Sequence, residues 1–127
     1  MNNIVNYADV DWSLIMMPVK VYVDGSPTNI AVNIDGQEHV FPNDGKGPLE
    51  IEYKAFIRTL ELLSDDIEYI IYSDNQSLVA RMNCDHALPS SPFDELHSQV
   101  IDLIKMKKLK CYVKWVPRKK NLAGKLI

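Results

Sequence analysis

The sequence predicts a single α/β domain built on a mixed β-sheet with helices packed against it. Three strand-like segments separated by tight turns come first, and two further strand-like segments then alternate with helical ones. The first pattern is typical of an antiparallel meander, and the second of parallel strands joined by helices. A chain of 127 residues that is 46% hydrophobic can bury one core. We expect an N-terminal extension over residues 1–17 and one domain over residues 18–127.

Local patterns define each element in order. Alternating valines mark the first strand, Asp35-Gly36 is a strong hairpin turn, and a continuous apolar run marks the fourth strand as covered on both faces. Helical spacing of apolar residues marks the two long helices, and we expect Asp74 to cap a short helix between them. The expected bounds are 19–24, 28–34 and 37–41 for the meander, then 49–63, 67–72, 74–83, 93–106 and 109–116, with a helix beginning at Asn121.

Charge is distributed unevenly along the chain. Residues 1–104 carry 17 acidic and 5 basic side chains, whereas residues 105–127 carry nine basic side chains and no acid. Such polarity lets one face attract a polyanion while another holds cations. A nucleic-acid surface is therefore one interpretation of the C-terminal block, and a solvated, lysine-rich helix end and tail is the other.

Composition argues against membrane and secreted classes. No apolar run approaches the ~20 residues of a membrane helix, and residues 1–17 do not have the pattern of a secretion signal. Cys84 and Cys111 give no disulfide framework. We expect a reducing cytoplasmic compartment and no membrane partner.

Three carboxylates fall at one edge of the predicted sheet. Asp24 ends the first strand, Glu52 lies early in the first helix, and Asp74 ends the fourth strand. If the fourth strand pairs with the first in parallel, all three meet at the edge where such sheets bind ligands. Carboxylates that converge repel one another unless cations neutralise them, and oxygen ligands suit Mg²⁺ or Mn²⁺ rather than zinc. The alternative is three unrelated polar ends, and topology alone leaves both readings open.

Four short motifs follow one another along the chain: Tyr22-Val23-Asp24-Gly25-Ser26, Glu52-Tyr53 with Ala55, Tyr72-Ser73-Asp74-Asn75-Gln76, and Trp115-Val116-Pro117-Arg118 with Asn121 and Ala123. Together they resemble the ribonuclease H family, particularly its reverse-transcriptase-like subgroup. The resemblance implies a ribonuclease H-like fold, with a three-strand antiparallel meander plus two parallel strands flanked by helices. It also implies a metal-dependent endonuclease that hydrolyses the RNA strand of RNA–DNA hybrids. Asp24, Glu52 and Asp74 would be its catalytic residues and its ligands for Mg²⁺ or Mn²⁺, with two ions bound in the presence of substrate.

Further residues are expected to bind the nucleic acid. Amides such as Asn75 and Gln76 can both donate to and accept from a 2′-hydroxyl. Basic side chains position phosphates without reading sequence. Trp115 is either part of the core or a stacking plane for a nucleotide. The predicted set is Ser26, Asn75, Gln76, Trp115, Arg118, Lys119 and Lys120.

One departure from the family pattern opens alternatives. The family carries a fourth aspartate at the start of its last helix, but residues 121–127 contain no acid, and Gly124 or Lys125 stands in its place. Arg118 and Lys119 replace a histidine that often precedes that helix. The chain is then either an active nuclease or a catalytically weak or inactive nucleic-acid-binding or interaction module. A third alternative is a structured-DNA nuclease, which would need a dimer; the sequence leaves the oligomeric state open.

Overall fold

The computed structural model describes residues 18–84 and 88–126, and its centre is a five-stranded mixed sheet. The strands are β1 (Val19–Gly25), β2 (Asn29–Ile34), β3 (Gln37–Pro42), β4 (Glu68–Ser73) and β5 (Lys110–Trp115). Their order in the sheet is β3-β2-β1-β4-β5, with β1, β2 and β3 antiparallel and β4 and β5 parallel to β1. The predicted fold class is confirmed. The expected extension over residues 1–17 lies outside the described residues.

The hairpin between β2 and β3 turns where the sequence predicts. Asp35 and Gly36 both have a positive φ, of 51° and 88°. This left-handed backbone favours Asp and Gly and matches the twist of the two flanking strands. The turn therefore fixes the register in which β3 pairs with β2, and β3 is an edge strand of the sheet.

Helices cover one face of the sheet. They are α1 (Pro48–Leu62), α2 (Gln76–Met82) and α3 (Asp94–Lys107). None of them, within the described residues, has the length and apolar character needed to cross a membrane. Side chains that alternate along the strands meet the helices in one apolar cluster, and its largest fully buried members are Tyr53, Phe56, Leu60, Ile71, Leu78, Met82 and Ile104.

Two helices differ from the sequence-based expectations. Asp74 does not cap α2; the side chain of Asn75 does, by accepting a hydrogen bond from the backbone N–H of Leu78 at 2.9 Å. The extended backbone of β4 continues to Ser73, whose hydroxyl accepts the N–H of Asn75, so the helix begins one residue later and the Asp74 carboxylate is not used as a cap. The helix expected from Asn121 begins at residue 122 and is a 3₁₀ helix over residues 122–126 rather than an α-helix; a separate 3₁₀ turn over residues 118–120 precedes it.

A polar cluster joins the three helices behind the sheet edge. The Tyr53 hydroxyl of α1 accepts a hydrogen bond from Arg81 Nε of α2 at 2.6 Å and lies 2.9 Å from His97 Nδ1 of α3. Arg81 also donates to the hydroxyl of Ser91 at 3.3 Å. Because Tyr53 follows Glu52 directly, these contacts tie the part of α1 that carries Glu52 to α2 and α3.

Candidate functional site

The three predicted carboxylates converge on one edge of the sheet. One carboxylate oxygen from each of Asp24, Glu52 and Asp74 lies within 4.8 Å of the others. The parallel register of β1 and β4, which pairs Val23 with Ser73, brings Asp24 and Asp74 to the same level. Helix α1 begins at Pro48 and supplies Glu52 from the same edge. The topological argument from the sequence is therefore confirmed, whereas the catalytic role of these residues remains a prediction.

A glycine allows α1 to approach β1 closely enough to form this cluster. A Cβ atom on Gly25 would lie 2.8 Å from Ile51 Cγ2 and 3.0 Å from the Ile51 carbonyl oxygen. Real Cβ atoms almost never come within 3.0 Å of another heavy atom, so a larger residue here would require Ile51 or the start of α1 to shift. Close packing at Gly25 thus helps α1 to bring Glu52 near Asp24.

Glu52 is buried without enough partners for a carboxylate. Its side chain is only 6% exposed, and its Oε1 accepts one hydrogen bond, of 3.2 Å, from the Gly25 N–H. Its Oε2 has no hydrogen-bond partner among the described residues. Burial, followed by the negative charge of Asp24, raises the pKa of Glu52 to about 8. A buried, orphaned carboxylate oxygen of this kind is a position where a cation fits.

The pKa of the Asp24 carboxyl group is also raised. It is 3% exposed, and burial and the nearby Asp74 carboxylate raise its pKa. The Gly25 N–H, which donates to Asp24 Oδ1 at 2.9 Å, and the Arg118 guanidinium act in the opposite direction. Without a counterion the cluster therefore favours keeping a proton, and a divalent cation would supply the missing positive charge. The donor set contains only oxygen, which suits Mg²⁺ or Mn²⁺.

Asp74 is held by two residues from the C-terminal part of the chain. Trp115 Nε1 donates to the Asp74 carbonyl oxygen at 3.1 Å. Asn121 Nδ2 donates to Asp74 Oδ2 at 3.0 Å and to the Val23 carbonyl oxygen at 2.9 Å. The sequence indicates Asn121 only as part of a family motif, and no pattern in the sequence predicts its contact with Asp74.

Trp115 lies on the surface, so of its two predicted alternatives the core position is excluded. It is 39% exposed because it lies at the end of β5, an edge strand of the sheet. With its indole N–H bonded to the Asp74 carbonyl, the ring stands beside the carboxylate cluster. Its use as a stacking plane remains a prediction.

A cavity opens directly onto the carboxylates. It has a volume of about 430 Å³, and its lining includes Glu52, Asp74, Asn75 and Arg118 together with the apolar wall of Pro27, Pro48 and Ile51. The Asn75 side-chain oxygen is used by the α2 cap, which leaves its amide N–H group for a ligand. Two predicted binding residues, Asn75 and Arg118, therefore share a concave site with two of the carboxylates.

The other predicted binding residues surround this cavity less closely. The Ser26 hydroxyl accepts from the Asn29 N–H at 3.0 Å and donates to the Asn29 carbonyl at 3.4 Å, so it is engaged in its own turn. Gln76 is exposed at the first position of α2. Lys119 and Lys120 are exposed in the 3₁₀ turn that begins with Arg118, and no carboxylate of the described residues pairs with them. All four remain predictions as nucleic-acid contacts.

The backbone of Gly124 closely approaches the Asp24 carboxylate. Gly124 lies so close to Asp24 that a Cβ atom built on it would be 2.9 Å from Asp24 Oδ2. Among the described residues, the acidic cluster therefore consists of three carboxylates.

Comparison with known proteins agrees with the fold. The family described as reverse transcriptase-like matches residues 34–125, a range that includes Glu52 and Asp74. The crystal structure of LC11-RNase H1 in complex with an RNA/DNA hybrid is similar with a TM-score of 0.72 and 20% sequence identity, over 85% of this chain and 92% of that chain. No curated protein matches the sequence.

Proposed function

Because the chain belongs to the reverse-transcriptase-like family of ribonuclease H proteins, we propose that it is a metal-dependent endonuclease that hydrolyses the RNA strand of RNA–DNA hybrids. The observation that carries the proposal is the buried Glu52 carboxylate, with its unpartnered oxygen, inside a cluster of three acids. Burying such charges is costly unless a cation is bound. The similar LC11-RNase H1 was crystallised with an RNA/DNA hybrid, which supports the choice of substrate.

In this proposal the three carboxylates hold Mg²⁺ or Mn²⁺, with two ions expected when substrate is present. Asp24, Glu52 and Asp74 would supply the ligand oxygens. Ions held there would supply the chemistry of an in-line phosphoryl displacement, namely activation of a water molecule and stabilisation of the leaving oxygen. The Gly25 N–H, which contacts both Asp24 and Glu52, keeps their facing oxygens in place.

Residues around the cavity would bind and orient the hybrid. Asn75 and Gln76 are proposed to hydrogen-bond the 2′-hydroxyl and sugar edge of the RNA strand. Arg118, Lys119 and Lys120 are proposed to contact phosphates, and the exposed ring of Trp115 to stack on a nucleotide. Ser26 is proposed to contact the nucleic acid at the rim of the cavity.

We propose that residues 18–127 form the functional domain, that residues 1–17 are an extension to it, and that the protein works in the cytoplasm. The second candidate function is a catalytically weak or inactive nucleic-acid-binding module. The lack of an acid in residues 121–127 favours it, because the family pattern carries a fourth metal-binding aspartate in that stretch.

A cleavage assay with matched variants separates these functions. The protein is incubated with an end-labelled RNA–DNA hybrid in Mg²⁺ and in Mn²⁺, beside single-stranded RNA, duplex DNA and a four-way DNA junction. Glu52→Gln is expected to lose at least about 100-fold of the cleavage rate, because a lost metal ligand removes several kcal/mol of transition-state stabilisation. Glu61→Gln, an exposed change in the same helix, is the control.

Each outcome has a distinct meaning. Cleavage of the hybrid that requires metal and Glu52 supports the proposal. Tight binding of the hybrid without cleavage in Mn²⁺ favours the binding module, and cleavage of the junction alone identifies a structured-DNA nuclease. Cleavage that Glu52→Gln leaves unchanged would refute the assignment of the site.

A further inference from the structure

The side chain of Asn121 is fully used in contacts at the acidic site. It is 1% exposed, and its Nδ2 donates to both Asp74 Oδ2 and the Val23 carbonyl oxygen. Its Oδ1 accepts the backbone N–H of Ala123 at 3.1 Å. The reverse orientation of the amide would turn its oxygen toward two other acceptors, so these contacts fix which atom faces Asp74.

Gly124, three residues later, approaches the opposite carboxylate. Its Cα lies where an added Cβ would be 2.9 Å from Asp24 Oδ2. Asn121 and Gly124 belong to one short turn, closed by a hydrogen bond from the Gly124 N–H to the Asn121 carbonyl oxygen at 3.1 Å. One rigid turn therefore contacts Asp74 through an amide and Asp24 through bare backbone.

We propose that this turn, residues 121–124, positions the metal-binding carboxylates, with Asn121 as the positioning residue for Asp74 and Gly124 as the spacer for Asp24. The inference rests on the proposed function, because positioning matters only if these acids bind a cation. The Asn121 amide occupies Asp74 Oδ2 and leaves Oδ1 for a ligand. The absence of a side chain at Gly124 lets the Asp24 carboxylate stay in the cluster.

The turn over residues 121–124 can orient the three carboxylates without a fourth acid. A neutral amide orients a carboxylate without adding to the repulsion among three neighbouring negative charges. Loss of hydrogen bonds that orient metal ligands weakens metal affinity about 10- to 100-fold. Asn121→Ala frees the Asp74 carboxylate, and Gly124→Ala displaces the Asp24 carboxylate. Both should weaken Mn²⁺ binding by a factor in that range.

The test measures Mn²⁺ binding to the full chain by calorimetry and by electron paramagnetic resonance. The wild type is compared with Asn121→Ala, Gly124→Ala and the control Leu122→Ala, whose side chain is exposed on the same turn. Far-ultraviolet circular dichroism and thermal melts identify variants that fail to fold. If Asn121→Ala does not fold, Gly124→Ala still tests the proposal, because φ at Gly124 is not in the left-handed region.

The expected result is a weaker Mn²⁺ affinity in both variants and an unchanged affinity in Leu122→Ala. A folded variant that melts at a lower temperature but binds Mn²⁺ as the wild type does would reduce Asn121 to a structural role and overturn the inference. If the wild type binds Mn²⁺ and both Asn121→Ala and Gly124→Ala bind it with the same affinity, this inference is overturned. The proposed function then still stands. A wild type that binds no Mn²⁺ would overturn both.

Discussion

Replacing Glu52 by Gln should change how the stability of the metal-free protein depends on pH. The substitution keeps the shape of the side chain and removes its charge, in a residue whose pKa is raised from 4.5 to about 8 by burial and by Asp24. A carboxyl group whose pKa is raised on folding favours the folded state fully below pH 4.5. This stabilisation is lost as the pH rises toward 8, because the folded protein must then hold an unfavourable buried charge.

The size of the effect follows from the two pKa values. Each pH unit between them corresponds to about 1.4 kcal/mol, so the loss has an upper limit of about 5 kcal/mol, and we expect roughly 2–4 kcal/mol after the site relaxes. That is a large part of the stability of a small domain. In metal-free buffer the wild type should therefore unfold at clearly lower urea concentration at pH 8.5 than at pH 5.

The assay is urea unfolding in EDTA at several pH values, with wild type and Glu52→Gln measured side by side. The difference between the two proteins cancels the titration of groups that they share, apart from coupling to Asp24. Glu52→Gln should gain stability relative to the wild type as the pH rises, and Mg²⁺ at pH 8.5 should stabilise the wild type more than the variant. A difference between the two proteins that stays constant from pH 5 to 8.5 would refute the reasoning.

Three further predictions concern the surroundings of the cluster. Arg118→Ala should weaken hybrid binding and lower the slope of log affinity against log salt by about 1, since one phosphate contact is lost; an unchanged slope would contradict that role. Gly25→Ala should cost roughly 1–3 kcal/mol in urea unfolding, because the added methyl group meets Ile51 at 2.8 Å; full stability would show that α1 can move freely. Burial, followed by Arg81, lowers the pKa of His97, so stability from this group is lost as the pH falls below 6.5. His97→Asn should therefore lose less stability than the wild type as the pH falls, when the urea unfolding curves of the two proteins are compared. The same dependence of stability on pH in both proteins would contradict this role of His97.

The sequence was most informative where local chemistry dictates geometry. Asp35-Gly36 accepts positive φ at both residues, so the hairpin and the direction of the following strand could be predicted. The directions of the successive strands and of the helix between them then predict that Asp24 and Asp74 lie at one edge of the sheet. The cap of α2 was misassigned because Asp74 and Asn75 are both good caps, and only the length of β4 decides between them.

The features that could not be predicted depend on distant parts of the chain. Trp115 is exposed because β5 lies at the edge of the sheet, which is a property of strand order rather than of the residues around it. Asn121 contacts residues 98 and 47 positions away along the chain, Val23 and Asp74. Such contacts follow from tertiary packing, and the spacing of residues in the sequence carries no trace of them.

Crystals of the wild-type protein soaked in Mn²⁺ give the most direct test of the shared metal site. The account predicts an anomalous peak between Asp24, Glu52 and Asp74, within about 2.0–2.3 Å of carboxylate oxygens. A saturating soak that leaves no peak among these three side chains would contradict it.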